Sequence, residues 1–145
     1  MKIVNRQARH EYQILDTVEA GVHLLGAEVK TVKTGRMNLV GAFVRIIGSE
    51  AYLVNAEIPL YPYARPEGYD PRRTRKLLLH KKEIISLKSK ISQSNLTLVP
   101  LSCYTRSGFV KLEIGLAKGK KAYQKREEKK RRDIDREVEQ ELRGK

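Results

Sequence analysis

Between Gln124 and Asp133 the chain carries no apolar residue. A segment with nothing to bury cannot join a hydrophobic core, because apolar burial is the dominant favourable term in folding. Any core must therefore be built mainly from the residues before it. Beyond this stretch only Ile134, Val138 and Leu142 line up, one per helical turn. That stripe is too thin to hold a helix against a domain. The local preference is nevertheless helical. Glu127–Arg131 and Glu128–Arg132 are well-oriented i,i+4 pairs, each contributing about 0.2–0.5 kcal/mol. Such pairs do not overcome the nucleation cost of an isolated helix in water. The expectation is a basic tail over residues 118–145, disordered when free and helical on a partner, following a domain over residues 1–117.

Hydrophobic residues make up 40% of the 145, enough for one core of usual domain size. From Glu11 to Val18 the pattern alternates as a strand does, with Tyr12 and Ile14 on one face. Gly21 marks a bend or bulge. Leu25, Val29 and Val32 recur at helical spacing, and Gly35 is placed to stop that short helix. The runs in AFVRIIGSEAYLVNAEI flank Gly48-Ser49-Glu50 as a hairpin. The stretch PLYPYARPEGYDPRRTR, with four prolines and three tyrosines, reads as a long irregular loop. A second helix follows, with Ile84, Leu87 and Ile91 as its buried stripe and Asn95 as a left-handed stop. LTLVPLSCY and FVKLEIGLA form a second hairpin around Thr105-Arg106-Ser107-Gly108. Short strands, hairpins and interposed helices favour a small, partly open antiparallel barrel of the oligonucleotide-binding type, with two or three flanking helices. A split α/β sandwich is the alternative fold.

The formal net charge is +13, which points to a polyanionic partner. The charge is uneven. Residues 1–115 carry net +8, and residues 116–145 carry +5 in about a fifth of the length. Lys118 to Arg132 is strongly basic, while Asp133 to Lys145 is slightly acidic. A merely solubilising tail has no need of that gradient. A segment that approaches phosphate along part of its length does. No targeting signal and no membrane-length apolar run is visible. With Cys103 the single cysteine, no intrachain disulfide can form, and a reducing, cytoplasmic setting follows.

Enzyme signatures are missing: no P-loop, no GxGxxG after a strand, no HExxH. Cys103 sits in an apolar strand pattern and reads as a small buried hydrophobe. His10, His23 and His80 are not at metal-ligand spacing. Glu11, Asp16 and Glu19 have the chemistry to hold Mg²⁺ as in a nuclease, although strand acids on a basic protein more commonly form salt bridges. The expectation is no cofactor, no metal and no catalysis. Basic clusters remain, namely Arg6, Arg9 and His10 near the start, and Arg72, Arg73, Arg75 and Lys76 in DPRRTRK. Either could be an ordinary solvated face. The second is pinned by Asp70-Pro71 and Leu77-Leu78-Leu79, so its arginines should be presented rather than floppy. It also adjoins the tyrosine-rich loop. Rings beside arginines suit RNA, where bases stack and phosphates are clamped; loop anchoring is the competing role for Tyr61 and Tyr63.

NRQARHEY, EAGVHLLGAEVKTVKTG, DPRRTRKLLLHKKEI, LTLVPLSCY and GLAKGKKAYQKRE occur in this order. Together they closely resemble the bacterial SmpB (SsrA-binding) family, from Asn5 to about Arg132. The resemblance implies a non-enzymatic, monomeric partner of transfer-messenger RNA (tmRNA), with an oligonucleotide-binding-like barrel gripping the tRNA-like domain. It implies entry into the vacant A site of stalled ribosomes for trans-translation, which rescues the ribosome and tags the peptide. Elongation factor Tu and alanyl-tRNA synthetase are implied indirectly, through the charged RNA. The RNA-contacting positions it carries over are Asn5, His10, Glu19, Leu78 and Lys111, beside the basic residues Arg6, Arg9, Arg73, Arg75 and Lys76. A carboxylate can accept from a base amino group or a 2′-OH, and an apolar side chain can pack on an exposed base. For the tail, the resemblance implies a helix in the empty mRNA channel near the decoding centre, using Lys118, Lys120, Lys121, Tyr123, Lys125 and Arg126. Gln124 departs from the family's Asp there, which removes a helix-start cap. Thr31 replaces the commoner Ser conservatively. The alternative function is a basic structural protein of the ribosome. A membrane-surface role is distant, since the tail has no apolar face to insert.

Overall fold

The computed structural model describes residues 1–119 and 121–143, with residues 121–131 described as backbone. Seven strands and four helices are present among them. In chain order they are β1 Lys2–Val4, α1 Arg6–Glu11, β2 Tyr12–Val22, α2 Gly26–Lys33, β3 Phe43–Ile47, β4 Glu50–Val54, β5 Arg75–Leu78, α3 Lys81–Ser94, β6 Thr97–Arg106, β7 Phe109–Gly119 and α4 Lys121–Arg143.

The strands neighbour one another in the order β1-β6-β3-β4-β5-β2-β7, and β7 also pairs with β6. That last pairing closes β6-β3-β4-β5-β2-β7 into an antiparallel ring, and β1 adds to β6 beside β3. Closure removes most exposed strand edges. The ring is uneven. β7 runs along nearly the full lengths of β2 and β6, whereas β3 meets β6 at Val44–Leu98 alone. The small barrel expected from the hairpin pattern is what the chain forms.

Local chemistry explains the turns. Gly48 (φ 64°) turns β3 into β4, and Ser107 and Gly108 (φ 53° and 81°) turn β6 into β7. Two-residue hairpin turns need such left-handed backbone to match strand twist. Asn95 ends α3 in the left-handed region (φ 49°, ψ 47°), as expected. Gly35 follows the end of α2 in the same region.

The core fills the ring and the space under α2 and α3. Leu53, Leu77, Leu98, Leu112 and Ile114 meet Val32 from α2 and Leu87 from α3. A smaller cluster under α1 joins Ala8 and Tyr12 to Val99, Leu101 and Ala117. Neither β1 nor α1 was expected from sequence, and both are short. β7 continues past Ala117, pairing Lys118 with Gln13 and Gly119 with Tyr12. The thin C-terminal stripe also does more than its composition promised. Val138 is buried, because polar bonds from Asp135 and Glu141 fix the helix on either side of it.

Candidate nucleic-acid interface

One outer face of the barrel gathers residues from four strands. Tyr104 on β6 lies opposite Lys111 on β7, Lys111 opposite Gly21 on β2, and Gly21 opposite Leu78 on β5. Alternation puts their neighbours Cys103, Leu112, Ala20 and Leu77 inside, where all four are buried. One pleat along, Glu19 faces Glu113. A groove on this side is lined by Gly21, Lys76, Leu78, His80 and Lys111. Its floor depends on Gly21, since a Cβ there would sit 3.3 Å from Leu78 Cβ. Leu78 and Phe109 are large apolar side chains left exposed, and Lys111 Nζ stands 5.9 Å from the Phe109 ring centre. A cation, a bare backbone floor and two exposed apolar surfaces suit a partner with phosphates and flat bases.

Glu19 is the carboxylate of this face. Its Oε2 accepts from the Tyr104 hydroxyl, and from Arg106 Nη1 at 3.2 Å. The Tyr104 hydrogen bond, with Arg106 and Lys111, holds Glu19 below the usual carboxylate range despite its partial desolvation. Tyr104 is pushed up to about 12, by burial first and then by Glu19. At neutral pH the pair is therefore an ionised acceptor held by a neutral phenol. Arg9 on α1 reaches the same face through Glu113, with Nη2–Oε1 at 3.3 Å.

Sequence reasoning named Glu19, Leu78, Lys111, Lys76 and Arg9, and the fold brings these together. It missed Tyr104 and Arg106. The signal was there, because a strand that buries Cys103 must turn Tyr104 and Arg106 outward. Lys76 pairs with Glu50 at 3.1 Å. Arg6 and His10 lie exposed on α1.

Asn5 is buried. Its side chain accepts from Ala8 N–H to cap α1, and donates to the carbonyls of Pro100 at 2.9 Å and Leu39 at 3.2 Å. It stitches the helix to the barrel.

The expectation that DPRRTRK presents its arginines needs correction. Arg75 is 0% exposed. Its Nε and Nη2 donate to Glu28 Oε2 at 3.0 and 2.6 Å, and its Nη1 donates to the Ala56 carbonyl at 2.6 Å. Arg73 holds the other oxygen of Glu28. Glu28 comes from α2 and is itself buried, so it requires paired cations. Burial pushes its carboxyl up, but Arg73, the Leu25 N–H and Arg75 leave it below its ordinary value. Tyr69 donates to the Ile58 carbonyl at 2.7 Å and to Glu28 at 3.2 Å, and burial raises its hydroxyl above the normal range. Anchoring of the tyrosine-rich loop thus falls to Tyr69. Tyr61 packs edge-on to Tyr63 at 5.5 Å and under Lys30, while Tyr63 is exposed.

Cys103 is buried, and burial pushes its thiol up to about 12, which fits a packed hydrophobe rather than a nucleophile. Among the described residues no group of three or more acids, histidines and cysteines could hold a metal. Nor is any helix among them long and apolar enough to cross a membrane. Of the tail residues singled out, Lys118 is exposed at the end of β7. Lys120 and the side chains of Lys121, Tyr123, Lys125 and Arg126 lie outside the described residues.

The family model described as SmpB protein matches residues 2–144. The chain is 49% identical over 140 residues to the SsrA-binding protein of Enterococcus hirae, covering 97% of this chain and 91% of that one. It is 54% identical over 138 residues to the SsrA-binding protein of Corynebacterium efficiens, covering 95% and 84%. It is also similar to a solved chain from "tmRNA-SmpB: a journey to the center of the bacterial ribosome", with a TM-score of 0.68, 47% identity and coverage of 82% and 84%.

Proposed function

The chain belongs to the SmpB family, and from that premise we propose that it binds the tRNA-like domain of tmRNA and delivers it to stalled ribosomes. The observation that carries this reading is the row Tyr104–Lys111–Gly21–Leu78 with Glu19 beside it. A phosphate-seeking cation, a carboxylate acceptor and an exposed apolar side chain on one rigid sheet can clamp a backbone, accept from a base or ribose, and pack on an unstacked base. The protein acts by binding and positioning, without catalysis, as a cytoplasmic monomer. Elongation factor Tu and alanyl-tRNA synthetase meet it through the charged RNA. Asn5 supports the interface by fixing α1, and Arg73 and Arg75 by fixing the loop before β5. Arg6, Arg9, His10, Lys76 and Lys111 are the basic groups left to meet RNA, beside Glu19 and Leu78.

Labour divides along the chain in this reading. Residues before the tail hold tmRNA, and the basic run from Lys118 to Arg132 enters the empty mRNA channel as a helix. Sequencing the RNA that copurifies with the protein tests the first half. A single small RNA is expected; a protein that stays with ribosomes through high-salt washing and carries no such RNA would be a ribosomal structural protein instead. Tagging assays on mRNAs of graded 3′ length test the second half. Tyr123→Ala should leave tmRNA affinity unchanged and tag poorly even on the shortest message, having lost a stacking contact of about 1–3 kcal/mol. Normal tagging would make the tail a passive extension.

A further inference from the structure

The tyrosine-rich loop, residues 59–70, is tied shut at its base. Ile58 N–H donates to the Pro71 carbonyl at 2.9 Å, and Arg75 Nη2, held by Glu28, donates to the same carbonyl at 3.0 Å. Tyr69 turns inward to Ile58 and Glu28. The tip is rigid as well. Ala64 N–H donates to the Tyr61 carbonyl at 2.9 Å, which closes a β-turn with Pro62 and Tyr63 at its centre. Pro62 fixes φ at the first of those two positions. Compact loops with joined ends frequently carry function.

What this scaffold presents is a ring. Tyr63 is 88% exposed, against 69% for Phe109, the next large apolar side chain in exposure among the described residues. Its ring stands edge-on to Tyr61 at 5.5 Å, and Lys30 Nζ lies 5.4 Å from the centre of the Tyr61 ring. Lys30 is exposed, as are Lys33, one turn along α2, and Arg65, just after the turn. None of these three cations enters an ion pair among the described residues. Of the loop's acids, Asp70 accepts from Arg72 N–H at 2.9 Å, and Glu67 is exposed. Past residue 70 the chain runs directly into β5, the strand that carries Lys76 and Leu78, so the base of the loop is continuous with the face described above.

We propose that Tyr63 is a further RNA contact, on which a single unstacked nucleobase stacks while Lys30, Lys33 and Arg65 meet the flanking phosphates. Every base has a flat π-face to offer an exposed ring. The ring is fixed before its partner arrives, so little conformational freedom is lost on binding. Arg73 and Arg75 take no direct part; they point inward and hold the platform. A protein partner fits this surface less well, because lysine is depleted from protein interfaces, whereas phosphates recruit it. The inference rests on the proposed function only in taking the partner to be RNA. The base can belong to tmRNA or to ribosomal RNA.

The test uses the full chain. It has no tryptophan, so Tyr63→Trp introduces a lone indole at the loop tip. Its fluorescence should be quenched when tmRNA binds, if the base is tmRNA's, or only when stalled ribosomes join that complex, if the base is ribosomal. Zero-length ultraviolet cross-linking of the wild type, read by mass spectrometry, should place a nucleotide adduct on Tyr63 in the same complex. Toward the RNA that quenches, Tyr63→Ala should bind roughly tenfold more weakly, and Tyr63→Phe should bind as the wild type does. The salt slope should stay the same, because stacking releases no counterions. An indole left unquenched in both complexes would overturn the proposal, and a blue shift without quenching would mark a protein surface instead. Tyr63→Ala binding as tightly as the wild type would also overturn it. Either result with normal tmRNA binding leaves the proposed function standing. If tmRNA itself fails to bind, the proposed function falls and poly(U) becomes the probe: quenching by it keeps the stacking site, and its absence overturns that too.

Discussion

Two carboxylates in this molecule are held by the same kinds of side chain and do opposite jobs. Glu28 is held by Arg73, Arg75 and Tyr69, and Glu19 by Arg106 and Tyr104. Glu28 and Arg75 are almost fully buried, while about a third of the Glu19 side chain is exposed. The buried set closes the tyrosine-rich loop onto α2. The surface set rigidifies an acceptor on the face proposed to meet RNA. What distinguishes them is solvent. A buried ion pair broken on one side leaves an uncompensated charge, whereas an exposed one is screened and contributes little to stability.

The hardest test of this contrast is removal of each acid in turn. Glu28→Ala should destabilise the domain by about 3–5 kcal/mol, because Arg75 is left buried without its partner. Urea unfolding measures it. Replacing both partners with apolar residues, Glu28→Leu with Arg75→Met, should recover much of that loss. If Glu28→Ala proves as mild as a surface substitution, Arg75 reaches water and the contrast fails. Acid should act in the same direction. The folded-state value of Glu28 is depressed, so its contribution is present above the ordinary carboxylate value and is lost as pH falls through the depressed one.

Glu19→Gln should leave the urea midpoint unchanged and weaken binding to the isolated tRNA-like domain by roughly tenfold, the size of one charge-assisted hydrogen bond. The slope of log K against log salt should stay the same, because that slope counts phosphate contacts. Tighter binding, as expected from deleting a repulsive charge, would make Glu19 a structural acid like Glu28.

Little of this contrast could be read from the sequence, although much of the fold could. Gly35, Gly48, Asn95 and Ser107-Gly108 announced their turns because left-handed backbone selects a few residue types. Barrel closure was less visible, since β3 meets β6 at one position and no local pattern encodes a single long-range pair. α1 escaped notice because it is six residues long and buries one alanine. DPRRTRK was found as a cluster, but the fate of its arginines was decided by Glu28, more than forty residues away. Asn5 was named from the family resemblance, and a residue that stitches a helix to a barrel looks the same in sequence as one that reads a base. Glu19, Leu78 and Lys111 were legible through the resemblance, and the strand registers then explain why they share a face.

The smallest expected effect separates the two donors to Glu19. The Tyr104 hydrogen bond is the largest single cause of its lowered value, Arg106 adds both a hydrogen bond and its charge, and desolvation acts the other way. Removing either donor should therefore raise the Glu19 midpoint, Tyr104→Phe by loss of one hydrogen bond and Arg106→Ala by loss of a hydrogen bond and a nearby positive charge. Carboxyl NMR titration of Tyr104→Phe and Arg106→Ala reads both shifts. The same bond seen from the phenol gives the alkaline limit. Tyr104 is raised to about 12 from 10.0, so its contribution is intact below 10 and is lost as pH climbs toward 12. At pH 7 Glu19 stays ionised in either variant, so Tyr104→Phe should weaken RNA binding less than Glu19→Gln. A Tyr104→Phe protein that binds RNA as poorly as Glu19→Gln would mean that the phenol itself meets the RNA, and that Glu19 serves chiefly to hold it there.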